Sequence, residues 1–382
     1  SCVEQYYKEK LKEFYGNDRH LVQGRCAHLT DPQQIHKDQG RNKCQNQNMC
    51  NRGCVYGGYF SANASTLPWA EKTGNLTIRP DSVVESVLYD EQKGKAIGVR
   101  IIDRHTKEAI EFYAKVIFLN ASTLNSNAIL LNSKSSRFPN GLGNDNGLMG
   151  KFITCHNYRG SGNATFEGFQ DKFNDGRNPG HAYVPRFRNV YRQETDFLRG
   201  YAIGMSASRQ LDGNGELIGD ALRDNLLNPK YGLWSMAAWM QGEMVPEESN
   251  HIRLSTEETD KYGIPKIIMS VEWKENDDKM TKDFVEQQSE MYERMGFKNI
   301  NVVDRGNPPG SDIHEMGGVR MGNDPKTSLL NKYNQLHACK NVFVTDGACM
   351  TSASTQNPTL TFMTLTARAA NYAVEELNKL NL

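Results

Sequence analysis

The stretch "NVFVTDGACMTSASTQNPTLTFMTLTARAANYAVEEL" near the C-terminus constrains the fold more than any other part of the chain. Residues 341–346 read as a short buried strand, and a loop of Gly, Ala, Ser and Thr follows them. An Asn-Pro pair then opens a long apolar run. Pro358 suits the first helical position, where its missing N–H costs nothing and its φ is already helical. Asn357 then falls at the N-cap, among the best residues for it. Leu360, Met363, Leu365, Ala367, Ala370, Tyr372, Val374 and Leu377 make the helix broadly apolar, which predicts a buried one. A buried helix start carries unpaired N–H groups and a positive dipole end. Two readings follow: a structural helix capped by its own Asn, or a helix aimed at an anionic or acceptor-rich ligand.

The chain has 382 residues, more than one typical domain, so two domains are expected. Lys+Arg and Asp+Glu each total 45, and this balance gives no support to nucleic acid or an anionic membrane as partner. No apolar run is long enough for a membrane span. Eight cysteines in so long a chain do not form a disulfide framework. The opening "SCVEQYYKEKLKEFYG" has no initiator Met and no signal-peptide profile, while Val3, Tyr6, Tyr7, Leu11 and Phe14 recur at helical spacing. It reads as the middle of a longer protein. An export signal would lie upstream, which leaves cytoplasmic and periplasmic locations both open.

Residues 18–60 read as a long polar arm, and 61–72 as a short helix. The runs 83–89, 96–102 and 109–119 are β-branched and apolar, with "DEQKGK" as a turn between the first two. A helix is expected over 123–133, and the Gly/Asn loop 139–150 marks a domain boundary. Residues 151–310 mix short strands and turns with one helix at 279–296, whose interleaved charges form a solvated face. There is no internal repeat.

In "DIHEMGGVRMG", His314 precedes two glycines. A His is the side chain best suited to move a proton near neutral pH, and glycines let backbone approach a ligand; a purely structural His is the alternative. "GNGELIG" (213–219) has one residue too many for a dinucleotide loop and reads as a surface turn. No phosphate loop and no nucleophile elbow occurs. Cys44, Cys50 and Cys54 have C-x5-C-x3-C spacing, which fits structural zinc poorly. They are read either as iron–sulfur ligands or as cysteines lining a packed arm.

Taken together, "CVYGGYFSANASTLPWAEKTGNLTIRPDSVVESVLYD", "AKVIFLNASTLNSNAILLNS", "NGLGNDNGLMGKFITCH" and "HEMGGVRMG…NVFVTDGACMTSASTQNPTLT" resemble the glucose–methanol–choline (GMC) oxidoreductase family. The likeness is strongest to the bacterial branch of choline dehydrogenase-like proteins and large subunits of gluconate or sugar dehydrogenases. It implies a two-domain α/β (α+β) flavoprotein. Residues 1–150 and 338–382 would form a partial FAD-binding domain. Residues 151–337 would form a substrate domain with an antiparallel sheet flanked by helices.

The resemblance implies that His314 is the catalytic base and Asn357 its partner. It puts Val84 near the adenine, and Asn120, Ala121 and Ser122 in the family's turn ahead of a short helix, without its usual Gly and with Ala121 and Ser122 as the cofactor contacts. Asp346 and Gly347 would lie near the pyrophosphate and ribityl chain, and Pro358 and Thr359 beside the isoalloxazine. The implied reaction moves a hydride from an alcohol, sugar, polyol or aldonate carbon to flavin N5 while His314 takes the hydroxyl proton. An electron-acceptor subunit is the implied partner, and because some sugar dehydrogenases of the family carry an iron–sulfur cluster in a Cys-rich arm at about this point, Cys44, Cys50 and Cys54 are possible ligands for one.

One departure is plain: the family's strand–G-x-G-x-x-G–helix unit does not occur in these residues. The chain is therefore expected to be a fragment of the full enzyme. The competing reading is a flavin-free binding module that keeps the substrate pocket. A third, a lyase with His as acid/base, fits the branch less well.

Overall fold

The computed structural model describes residues 1–47, 50–172, 181–211 and 217–382. Residues 213–216 of the "GNGELIG" turn lie outside the described residues. Two cores organise the chain. The first is built on a seven-stranded antiparallel sheet, ordered Val22–Gln23, Ala182–Val184, Tyr201–Leu211, Tyr231–Glu243, Gly160–Phe166 and Lys298–Asp304. His156–Asn157 pairs with the far end of Tyr231–Glu243. Along that long strand Trp234, Met236, Ala238 and Met240 recur every second residue and are buried, as a strand with one covered face requires.

Two helices cover that face. Cys2–Tyr15 buries Val3, Tyr7 and Leu11, spaced one turn apart, and Glu275–Arg294 buries Met280, Phe284, Gln288 and Met291 on the same principle. The first helix is closed by a capping box between Ser1 and Glu4. In the second, the Asp277 carboxylate accepts the Lys274 N–H at 3.0 Å. The expected helix at 279–296 thus starts earlier, because its acidic first turn belongs to the cap rather than to a loop.

The second core joins four smaller pieces. Ser82–Asp90, Lys95–Asp103 and Ala109–Tyr113 form an antiparallel meander. Ile117–Leu119 and Val342–Val344 pair in parallel, with Val342 opposite Ile117. The run expected as one strand over 109–119 is therefore two, in different sheets. Helix Thr123–Asn132 packs beside them, burying Ile129 and Leu130. A four-stranded sheet, ordered Pro265–Ser270, His251–Thr259, Lys151–Thr154 and Met316–Gly318, bridges toward the first core.

The C-terminal helix runs Thr359–Asn378, and two expectations about it are corrected. Its N-cap is Pro358, no side chain caps it, and Asn357 sits one residue outside. Nor is it well buried: among its residues Ala369 and Ala373 are buried, while Leu360 is 77% exposed. The buried contact is made by these two alanines, which cluster with Phe343, while Val116 and Phe118 pack against that cluster. Apolar breadth in a sequence says how much surface is available for burial, not what lies against it.

Candidate active site

Strand register creates the site. Lys151–Thr154 pairs antiparallel with Met316–Gly318, and Met316 lies opposite Thr154. Continuing that register by two residues sets His314 opposite His156, although 158 positions separate them. The two rings meet with Nδ1 atoms 3.3 Å apart. Asp312, two residues before His314, joins the same face: its Oδ2 lies 3.4 Å from His156 Nδ1 and 3.7 Å from His314 Nδ1. Among the described residues, these three form the group of His, Cys, Asp or Glu side chains whose ligand atoms all lie within 4.8 Å of one another.

The backbone around His314 is tightly held. Gly317, at φ 94°, approaches so closely that a Cβ there would stand 2.3 Å from the Phe152 carbonyl oxygen. Asn127 Nδ2 donates to the Gly317 carbonyl at 3.1 Å, and the Thr123 hydroxyl donates to that of Glu315. The helix Thr123–Asn132 therefore anchors the segment that carries the histidine.

His156 is buried, and burial pushes its pKa down to about 4; the neighbouring His314 acts in the same direction and the Ala353 carbonyl against it. It is neutral at pH 7. Burial also raises the Asp312 carboxyl, with His314 pulling the other way. His314 is the accessible member, its side chain one-fifth exposed (20%).

His156 also reaches the loop that leads into the C-terminal helix, since its Nε2 lies 3.2 Å from the Ala353 carbonyl oxygen. Next to it the Ser352 hydroxyl donates to the Glu243 carboxylate, which also faces Arg199 at 3.5 Å. Asn357 is exposed, and its Oδ1 accepts a hydrogen bond from the Tyr183 hydroxyl at 3.4 Å. Three contacts to the first core thus position the loop 351–358.

A second group gathers at the start of helix Thr123–Asn132. Asp346 Oδ2 accepts from Ser126 Oγ at 2.5 Å, and Oδ1 accepts the Ala348 N–H at 3.0 Å. Burial raises this carboxyl, while those hydrogen bonds and one from Ser122 N–H oppose the rise. Gly347 lies so near Thr123 that a Cβ would meet its Oγ1 at 2.2 Å. Ala121, Ser122, Asp346 and Gly347 are thus neighbours. Val84 and Ala121 share a cleft of ≈ 560 Å³ with Asn125, Ile129, Ile264 and Ile267.

The cysteine arm is different. Cys44, Cys50 and Cys54 are free and half-buried, and they do not converge into such a compact group. Cys50 Sγ instead lies 3.1 Å from His28 Nε2. Burial raises the Cys54 thiol, but the backbone N–H groups of Tyr59, Tyr56, Gly58 and Gly57 outweigh it and lower its pKa. An iron–sulfur cluster there finds no support, since spacing along a loop does not bring thiols to one point.

Sequence reading found His314 and missed His156, Asp312, Tyr183 and Glu243. Asp312 carried one signal, its nearness to His314 in the chain, although a turn with Ile313 at φ 60° rather than a strand joins the two. The others carried none.

The fold is shared with flavoprotein oxidases: formate oxidase of Aspergillus oryzae superposes with a TM-score of 0.60 at 12% identity, over 85% of this chain and 65% of that one. Residues 9–155 and 246–366 match the two GMC oxidoreductase family profiles, well over half of the sequence, and the chain belongs to the GMC oxidoreductase family. It is 29% identical over 296 residues to a 2-methyl-1,2-propanediol dehydrogenase of Mycolicibacterium austroafricanum, covering 74% of this chain and 51% of that protein. It is 25% identical over 349 residues to the fructose dehydrogenase large subunit of Gluconobacter japonicus, covering 89% and 61%. The chain thus spans roughly half to three-fifths of the length of these relatives. Among the described residues no helix is long and apolar enough to cross a membrane.

Proposed function

We propose that the protein oxidises an alcohol carbon, of a sugar, polyol or aldonate hydroxyl, in an FAD-dependent reaction in which His314 is the base. The observation that carries this is the placement of His314: partly exposed, with a buried His and a buried Asp behind it. The relatives support the class, being named dehydrogenases of a diol and of fructose. Residues 1–150 and 338–382 would serve the cofactor and 151–337 the substrate.

The residues present fit part of the cofactor, the strand–G-x-G-x-x-G–helix unit not being among them. The cleft at Val84 and Ala121 offers apolar walls for an adenine, Asp346 and Ser122 offer polar groups beside it, and the close approach of Gly347 leaves backbone accessible. The start of helix Thr359–Asn378, uncapped by any side chain, keeps N–H donors beside Pro358 and Thr359. Bound there, FAD supplies the two-electron acceptor for the hydride leaving the carbinol carbon.

His314 takes the hydroxyl proton. Because Tyr183 donates to Asn357 Oδ1, the amide Nδ2 is left as a donor for the substrate oxygen. Electrons would leave to a partner subunit, as the naming of the fructose dehydrogenase relative as a large subunit invites.

The test is anaerobic bleaching of the flavin bands by sugars and polyols. His314→Ala is expected to slow reduction by roughly 10²–10⁴-fold with flavin retained. An unchanged rate removes His314 from this role, and a purified full-length protein without flavin bands removes the reaction.

A further inference from the structure

Among the described residues His156 is the buried histidine that touches His314, and its protonation is fixed by its surroundings. Its Nε2 faces the carbonyl oxygen of Ala353 at 3.2 Å, and a carbonyl can only accept. Nε2 therefore carries the proton. A neutral imidazole carries one proton, so His156 Nδ1 is a lone pair. That lone pair points at His314 Nδ1, 3.3 Å away. Asp312 adds an acceptor to the same place: Oδ2 takes the His156 backbone N–H at 3.1 Å and stands 3.4 Å from His156 Nδ1 and 3.7 Å from His314 Nδ1. His314 Nδ1 thus supplies the proton that the His156 lone pair accepts, with the Asp312 carboxylate beside that hydrogen bond.

We propose that His156, backed by Asp312, is a positioning residue that holds His314 as the Nδ1–H tautomer and so leaves Nε2 as its basic atom. The two ring nitrogens lie on different edges of the imidazole, so Nε2 faces away from the buried pair, toward the exposed side of the ring. Without the pair, a neutral His314 distributes its proton between both nitrogens, and part of the population presents N–H where a lone pair is needed. His156 does a second task with its other nitrogen. By donating to Ala353 it ties the orientation of His314 to the loop 351–358, which carries Asn357. One side chain thereby links the two segments that carry His314 and Asn357.

The inference rests on the reading of His314 as base, yet its primary readout is independent of activity. In FAD-loaded protein labelled with 15N-histidine, ring 15N NMR, with His314→Ala for assignment, should show protonated Nδ1 and unprotonated Nε2 at neutral pH. His156→Leu should give a mixture of tautomers and lower kcat roughly tenfold to thousandfold with little change in KM. His156→Asn, which retains an acceptor near the Nδ1 position, should restore most of both. Protonated Nε2 in the wild type overturns the proposal, and so does an unshifted tautomer in His156→Leu. Should His156→Leu not fold, the wild-type spectrum alone still decides. If the tautomer is as stated but His314→Ala is fully active, the base assignment fails and the positioning stands.

Discussion

His156 and His314 face each other Nδ1 to Nδ1 at 3.3 Å with their rings 73° apart. The contact joins two chain segments that belong to different sheets at one end and share a ladder at the other. Lys151–Thr154 lies in the four-stranded sheet, and two residues on His156–Asn157 lies in the seven-stranded one. The site therefore sits at the seam between the two cores, and its geometry reports on both.

That seam makes stability pH-dependent in a defined direction. His156 titrates near 4 when folded against an ordinary value of 6.5. Its contribution is fully present above 6.5 and is lost as pH falls through 4, on the order of 3 kcal/mol in total. Asp277 opposes it, because burial raises its carboxyl to about 6 from 3.8 and the folded protein takes up that proton first. Urea denaturation between pH 7 and pH 4 checks this. His156→Asn should flatten the loss of stability with acid, and Asp277→Asn should steepen it; identical slopes in all three proteins would contradict both assignments.

Tyr183 should matter to turnover without touching the reacting atoms. Tyr183→Phe removes the donor to Asn357 Oδ1 and frees the amide to rotate. A neutral hydrogen bond of about 1 kcal/mol predicts a loss in kcat/KM of roughly 2- to 10-fold. Steady-state kinetics at fixed pH reads it, and a loss of several hundredfold would show that the phenol does more than orient the amide.

Asn341 is a stability prediction. It is buried between the meander and the parallel pair, where Nδ2 donates to the Ala96 carbonyl at 2.7 Å and the Lys115 carbonyl at 2.9 Å. Its Oδ1 accepts the Ala96 N–H at 3.1 Å. Asn341→Leu leaves these backbone groups unpaired, at a cost of roughly 2–4 kcal/mol. Chemical denaturation measures it, and a change below about 0.5 kcal/mol would mean that water replaces the side chain.

Much of the local structure was legible in the sequence because it depends on local periodicity. The first helix, the 83–89 and 96–102 strands, and the helix after Asn120 all follow from spacing of apolar residues. The last helix was legible in extent but not in environment. Its apolar side chains predicted burial, and the structure leaves Leu360 and Val374 exposed while the contact falls on two alanines. Asn357 shows the same limit at smaller scale. Its identity predicted a cap, yet the chain enters the helix one residue later and Tyr183 takes the side chain's oxygen.

The sequence by itself determined the family, the position of His314 beside its glycines, and the strand–loop–helix order around Asp346. These rest on residue type and spacing along the chain. Tertiary structure decided what stands behind His314. A β-ladder pairs Met316 with Thr154, and that register sets two histidines against each other across 158 residues. Burial then keeps one of them neutral, and a single carbonyl fixes its proton. Register is a relation between two strands, and neither strand's own residues state it.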